Sequence, residues 1–331
     1  MAESLTTLLT GGTGFLGSAV ARALLSQGHR VVALARPETP RRVLDGVPVA
    51  FAPGDLTDAA SLRMALRGCD ALVHCAADYR IFVPDPERMR AVNVAGTEAL
   101  MRAALEAGLR RIVHVSSVAT LKPRGDGRPA TEQDAATVEQ AIGPYKKSKT
   151  EAERLVERMV RDDRLPATIV QPSTPIGPRD RRPTPTGRVI LEAARGKMPA
   201  YVETGLNLVH VDDCATGIVA ALQRGVVGER TILGGQDVSL AELLGHIAGR
   251  FGRRAPVRLP RAPLFPLAWV AEQAARVTGR EPMLTLDGLR MAGQRMYFSP
   301  EKARRTLGFE ARPWQQAVDD AIAWFRAEGM L

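Results

Sequence analysis

From residue 5 to about residue 172, short apolar runs alternate with longer stretches whose apolar positions recur every three to four residues, the rhythm of successive βαβ units. The runs Leu5 to Thr10, Val31 to Ala35, Val49 to Ala52, Ala71 to Cys75, Arg111 to Ser116 and Ala167 to Gln171 predict strands. Segments 15–27, 58–67, 88–107 and 145–161 predict helices between them. Strands apolar at nearly every position are buried on both faces, so an α/β, doubly wound parallel sheet covered by helices is expected. After Pro172 the period breaks at Pro175, Pro178, Pro183 and Pro185. Helical patterns return over 187–195, 213–224, 239–251, 264–278 and 314–327, with few strand-like runs. Residues 1–172 are thus expected to form the sheet domain. Residues 173–331 are expected to form a smaller, mainly helical lobe, with late elements returning to the sheet.

At 331 residues the chain suits about two domains. Its 45% hydrophobic and 24% charged residues exclude a disordered or fibrous chain. The 45 Lys and Arg against 36 Asp and Glu give a net charge of +9, spread along the chain, which suits anionic ligands. No aromatic strand platform, zinc knuckle or basic helix accompanies it, so no nucleic acid is expected. Cys69, Cys75 and Cys214 form neither a CxxC pair nor a Cys/His cluster, and no metal is expected. The start, MAESLTTLL, lacks the basic and apolar regions of an export signal, and no run of about 18 apolar residues could cross a bilayer. A cytoplasmic location follows as the expectation.

The motif TGGTGFLG places Gly11, Gly14 and Gly17 between a predicted strand and a predicted helix. Glycine permits a sharp turn and close approach of backbone to a pyrophosphate, whose charge meets amide N–H groups and the positive end of the helix. The spacing is GxxGxxG rather than GxGxxG. At the end of the second strand, where an acidic residue would bind the adenosine ribose of NAD, stands Arg36, followed by Arg41 and Arg42. An arginine there can pair with a 2′-phosphate, so NADP(H) is expected ahead of NAD(H). Asp55 and Leu56 follow the third strand, where they could meet adenine; a helix start around Asp55 to Asp58 competes equally.

Tyr145 and Lys149, in YKKSK, stand one turn apart on a predicted helix. An ammonium beside a phenol would lower the tyrosine pKa and make Tyr145 a general acid or base. Ser116 and Ser117 end the fifth strand at the carboxyl edge, where ligands of open α/β sheets bind. Ser117 is assigned to hold a substrate oxygen in line with Tyr145 while hydride is transferred, and Ser116 to a cofactor-side or structural role. His74 and His114 read as packed residues.

Together TGGTGFLG, Asp55 and Leu56, HCAA at 74–77, NVAGT at 93–97, VSS at 115–117, YKKSK at 145–149 and Pro172 resemble the extended short-chain dehydrogenase/reductase superfamily, with its Rossmann-type fold. Within it, AADYRIFVPDPE at 76–87, QPSTPIGPRDRRPTPTGRVI and MPAYVETGLNLVHVDD at 198–213 resemble the hopanoid-associated sugar epimerases, which are related to dihydroflavonol reductases. The resemblance implies a cofactor over Gly11, Thr13, Gly14, Phe15, Leu16 and Gly17, with adenosine near Arg36, Asp55 and Leu56. It further implies Ala76, Ala77 and Pro172 beside the nicotinamide, Lys149 on its ribose and Asn93 supporting the sheet edge. Substrate would sit among Asp78, Tyr79, Ser117, Tyr145, Ser173 and Thr174, with Arg179 or His210. Arg36 departs from the NAD-retaining epimerase pattern.

The expected activity is hydride transfer to or from a sugar-like or polyol carbon. It ends in epimerisation if the hydride returns to the opposite face, or in carbonyl reduction if NADPH is consumed. A cofactor-sensing protein without chemistry is the alternative, against which the three retained side chains weigh. The stretch 263–277, PLFPLAWVAEQAARV, suggests either a membrane-surface helix or a lobe helix packed on its neighbours, and packing is expected. A homodimer through the helices near 88–107 and 145–161 is expected from the resemblance.

Overall fold

The computed structural model describes residues 4–331 apart from 81, 82, 84, 279–281 and 283. The first part runs β1 (Thr6–Thr10), α1 (Phe15–Ser26), β2 (Arg30–Ala35), β3 (Ala50–Pro53), α2 (Ala59–Ala65), β4 (Ala71–His74), α3 (Pro86–Arg90), α4 (Gly96–Glu106), β5 (Arg111–Val115), α5 (Gly143–Asp163) and β6 (Ala167–Pro172). The helix read over 88–107 is α3 and α4 joined through a π turn at Ala91–Ala95.

The second part runs β7 (Thr174–Ile176), α6 (Pro185–Ala194), β8 (Ala200–Val202), β9 (Gly205–His210), α7 (Val211–Arg224), β10 (Arg230–Leu233), β11 (Gln236–Ser239) and α8 (Leu240–Arg250). It continues with β12 (Val257–Leu259), α9 (Phe265–Thr278), α10 (Leu286–Met291), β13 (Arg295–Met296), α11 (Glu301–Leu307) and α12 (Trp314–Ala327). Helices dominate this part as read. Its short strands escape a periodicity reading because two to four residues carry no period.

Among the described residues the main sheet has seven strands in the order β10-β6-β5-β4-β1-β2-β3, every pairing parallel. Neighbouring positions in each strand feed opposite layers. Leu9, Val73, Val113 and Val170 meet α1 and α7, whereas Leu8, Leu72, Ile112 and Ile169 meet α2, α4 and α5. This two-sided burial is why the strands read as continuous apolar runs. The late strand β10 joins the sheet beside β6, and α7 shares the layer of α1. A separate cluster, including Ile190, Leu208, Leu243, Val318 and Phe325, holds α6, α8, α12 and β9 together.

The register aligns Thr10 with His74, His74 with His114, and His114 with Ile169. The turns after β1, β4, β5 and β6 therefore open at one level of the sheet. Strand order reverses beside β1, and the resulting crevice outside the carboxyl ends is where such sheets bind ligands.

Candidate active site

The turn after β1 is dictated by glycine. Gly11 has φ +70°, and a Cβ on it would lie 2.8 Å from the Ala76 amide nitrogen. A Cβ on Gly17 would lie 2.0 Å from the Gly11 carbonyl oxygen, so α1 packs directly onto the loop. Gly14 precedes α1 and gives no side-chain cap, and the first turn carries no acidic residue. The positive end of the helix is thereby left to a ligand. These features fit a dinucleotide pyrophosphate.

A cavity of about 770 Å³ runs from this loop along the sheet edge. It brings together Gly11, Thr13, Gly14, Phe15, Leu16, Gly17 and Arg36 with Ala76, Ala77 and Tyr79. Ser117, Tyr145, Lys149, Pro172, Ser173 and Thr174 line it as well. Arg36 lies 3.3 Å from Glu38 and 3.8 Å from Asp55. Arg42 lines the cavity, whereas Arg41 turns aside to stack 4.4 Å over Phe51.

Four expected contacts, Asp55, Leu56, Asp78 and His210, lie outside its lining. The Asp55 carboxylate accepts from the Thr57 amide and hydroxyl, a local turn that also holds its pKa low. Leu56 is buried in the core against Gly96. Asp78 is bound by its neighbour Arg80, while its backbone is clamped by Asn93, whose Oδ1 accepts from the Asp78 amide and whose Nδ2 donates to the Asp78 carbonyl. Asn93 sits in the π turn and also donates to Ser148 on α5, at 3.0 Å. His210 is interior, where its Nδ1 accepts the Asp212 amide at the start of α7. Arg179 lines the cavity and pairs with Asp212.

Helix α5 starts at Gly143, φ +78°, followed by Pro144. Tyr145 in its first turn lines the cavity together with Ser117, two residues beyond β5. Ser117 accepts from the Ala119 amide, which fixes its hydroxyl. One turn on, buried Lys149 donates to the Val115 carbonyl at 2.9 Å. One turn further, Glu153 is fully enclosed and accepts from Ser116 at 2.5 Å, Thr120 at 3.0 Å and Gln171 at 3.0 Å. The two serines are thus divided, Ser117 facing the tyrosine and Ser116 the interior.

Burial sets the proton affinities. It pushes the Lys149 ammonium down to about 8, opposed by the Glu153 charge and then Cys75. Burial raises Glu153, opposed by its hydrogen bonds. It also raises the Tyr145 phenol, opposed by the Ser117 hydroxyl. The expectation of a lowered tyrosine is therefore corrected: dehydration raises the phenol, and the Lys149 ammonium is engaged with the Val115 carbonyl. Tyr145 is protonated at working pH, an acid ready to donate.

His74 is held neutral, down to about 3, chiefly by burial. The Thr10 hydroxyl lies 2.7 Å from its Nδ1, and its Nε2 lies 2.9 Å from the Thr97 hydroxyl, which donates to the Asn93 carbonyl. His114, buried beside it with neither nitrogen bonded, is pushed well below its usual value. Among the described residues no group of three His, Cys, Asp or Glu is placed to hold a metal ion.

Several lining residues carry no sequence signal. Ile142 and Lys146 flank the tyrosine, and Asp287, Met291 and Met296 arrive from distant elements. Lys146 is nine-tenths buried, with Met296 sulfur 3.9 Å from its ammonium. Only the fold brings such positions together.

Residues 7–234 match the model of the NAD dependent epimerase/dehydratase family. Across 98% of this chain and 95% of the relative, a protein of Synechocystis sp. provisionally named dihydroflavonol 4-reductase is 42% identical. The sterol demethylase protein B of Methylococcus capsulatus is 33% identical across 99% of this chain and all of its own length. The crystal structure of gox2253 superposes with a TM-score of 0.89 at 50% identity, covering 99% of this chain and all of that one.

Proposed function

Because the chain belongs to the NAD dependent epimerase/dehydratase family, and is an NAD(P)-dependent enzyme of it, we propose that it interconverts a ketone and a secondary alcohol with NADP(H), on a largely apolar, ring-containing substrate. The carrying observation is that Ser117, Tyr145 and Lys149 converge on one wall of the cavity that the glycine turn opens.

In this reading Gly11 to Gly17 and the start of α1 hold the pyrophosphate, and Arg36 with Arg42 meets the 2′-phosphate. Lys149 reaches the nicotinamide ribose, and Ala76, Ala77 and Pro172 flank the ring. The bound nucleotide supplies the hydride. Ser117 orients the carbonyl oxygen, and Tyr145, held protonated by burial, delivers the proton to that oxygen. Residues 1–172 hold the nucleotide and residues 173–331 supply most of the substrate wall.

The substrate class rests on that wall. Ile142, Val118, Pro175, Met291 and Met296 present apolar surface near the tyrosine, more than a sugar-like polyol would use. The names of the Synechocystis and Methylococcus relatives point to flavonoid and sterol rings, and a hopanoid-related polycycle shares the fused apolar rings of a sterol. Incubation with NADPH and a panel of cyclic ketones, plant and bacterial triterpenoid ketones included, tests the reading. Stoichiometric NADPH loss supports reduction. Inversion of a hydroxyl carbon without net nucleotide consumption would identify an epimerase instead.

A further inference from the structure

Helix α9 is inside out. Its small residues Ala268 and Ala275 are buried, whereas Leu267, Trp269 and Val270 are 60, 56 and 57% exposed. Pro266 and Ala274 are exposed with them. At about 100° per residue these positions share one side of the helix. The helix packs on the lobe through these alanines, and its large apolar residues face outward. In the preceding strand β12, Val257 is 65% exposed, and Leu259 is exposed as well.

The charge around this face has one sign. From Phe251 to Ala271 the chain carries Arg253, Arg254, Arg258 and Arg261 and no Asp or Glu. Arg253 is engaged with the Ala194 carbonyl and the Phe251 ring. Arg254, Arg258 and Arg261 are exposed and form no ion pair with a described residue, Arg261 donating only to the Leu289 carbonyl of α10. Large exposed apolar side chains bordered by unpaired arginines need an apolar partner that is anionic at its rim.

We propose that β12, the turn after it and the outer side of α9 form a docking surface for an anionic lipid bilayer. Leu267, Trp269 and Val270 enter the boundary between headgroups and acyl chains, and Arg254, Arg258 and Arg261 meet lipid phosphates. Tryptophan suits that boundary because its ring is apolar and its N–H stays near water. No helix among the described residues is long and apolar enough to cross a membrane, so attachment is along the surface. A second copy of the chain fits less well, since a two-fold contact through this face would bring like-charged arginine clusters together.

The surface adjoins the cavity through α10. Glu272 of α9 accepts the Leu286 amide at 2.8 Å, and Asp287 and Met291 of α10 line the cavity. Docking would hold that wall against the bilayer.

The test is co-sedimentation of the full chain with phosphatidylcholine vesicles, alone or mixed with phosphatidylglycerol, at low and high salt. A bound fraction several-fold larger on the anionic vesicles, reduced by salt and abolished by joint Leu267→Glu and Val270→Glu, supports the proposal. Joint Arg258→Gln and Arg261→Gln should weaken anionic binding while leaving the apolar residues intact. Both variants are checked by thermal melting and by NADPH binding, which these positions leave unchanged, so misfolding is separated from lost docking. Wild-type protein remaining in the supernatant with anionic vesicles at low salt overturns it. So does sedimentation unaffected by the Glu substitutions, or a solution dimer that they dissociate in the absence of lipid.

Discussion

Glu153 stands one helical turn beyond Lys149 on the buried side of α5, and its charge is the main influence that keeps the lysine ammonium protonated against burial. Ser116, Thr120 and Gln171 all donate to Glu153 Oε2, from the turn after β5 and from β6. The sheet therefore fixes the glutamate, and the glutamate sustains the charge on the lysine. Removing that charge in Glu153→Gln, which keeps the shape, should lower the Lys149 pKa further below about 8. The alkaline limb of the rate profile should move down by roughly one pH unit. A profile that keeps its limb would show that Glu153 acts only by packing.

The pH dependence of the parent follows from the same group. Lys149 is charged below about 8 and neutral above it, while burial holds Tyr145 protonated beyond its usual range. Ketone reduction should therefore be sustained through neutral pH and fall as Lys149 loses its proton. Steady-state rates from pH 6 to 10 at saturating nucleotide would reveal it; a rate rising steadily to the alkaline end would contradict the assignment.

Tyr145→Phe keeps the ring and removes the donated proton, so reduction should fall by about 10²-fold or more with nucleotide affinity little changed. Ser117→Ala removes the hydroxyl that opposes the rise in the tyrosine pKa and should lower kcat by roughly tenfold or more. Paired turnover and NADPH-binding measurements separate the two effects.

For cofactor choice, Arg36→Ser should weaken NADPH by roughly tenfold or more through loss of a charge-assisted contact, with NADH little affected. Equal losses for both nucleotides would place Arg36 away from the 2′-phosphate, held by its neighbours Glu38 and Asp55.

Asn93 carries structure rather than chemistry. Asn93→Ala leaves the Asp78 amide and carbonyl without their clamp and should cost about 1–3 kcal/mol. Thermal melting reads the loss directly.

Much of this was legible in the sequence, and the exceptions have physical causes. The six strands read from apolar runs form within a residue or so, because both faces of the sheet are covered and little alternation competes. The glycine turn and the approach of Ser117 to Tyr145 follow from that order. Asp55 escaped its expected place because Thr57, two residues away, captures its carboxylate. The tyrosine pKa could not be read from a Tyr–Lys spacing, since spacing carries no information about burial. Met291 and Met296 are distant in the chain and reach the cavity only through tertiary packing. For α9, periodicity located an apolar side without saying whether anything covers it.

Calorimetric titration of the parent and of Gly11→Val with NADPH reads whether the glycine turn captures the nucleotide. Valine at Gly11 would place a Cβ against the Ala76 amide in a backbone conformation suited to glycine. One nucleotide bound per parent chain, with binding lost in a variant that still melts cooperatively, is the predicted result. Absence of binding by the parent, or unchanged affinity in folded Gly11→Val, would contradict it.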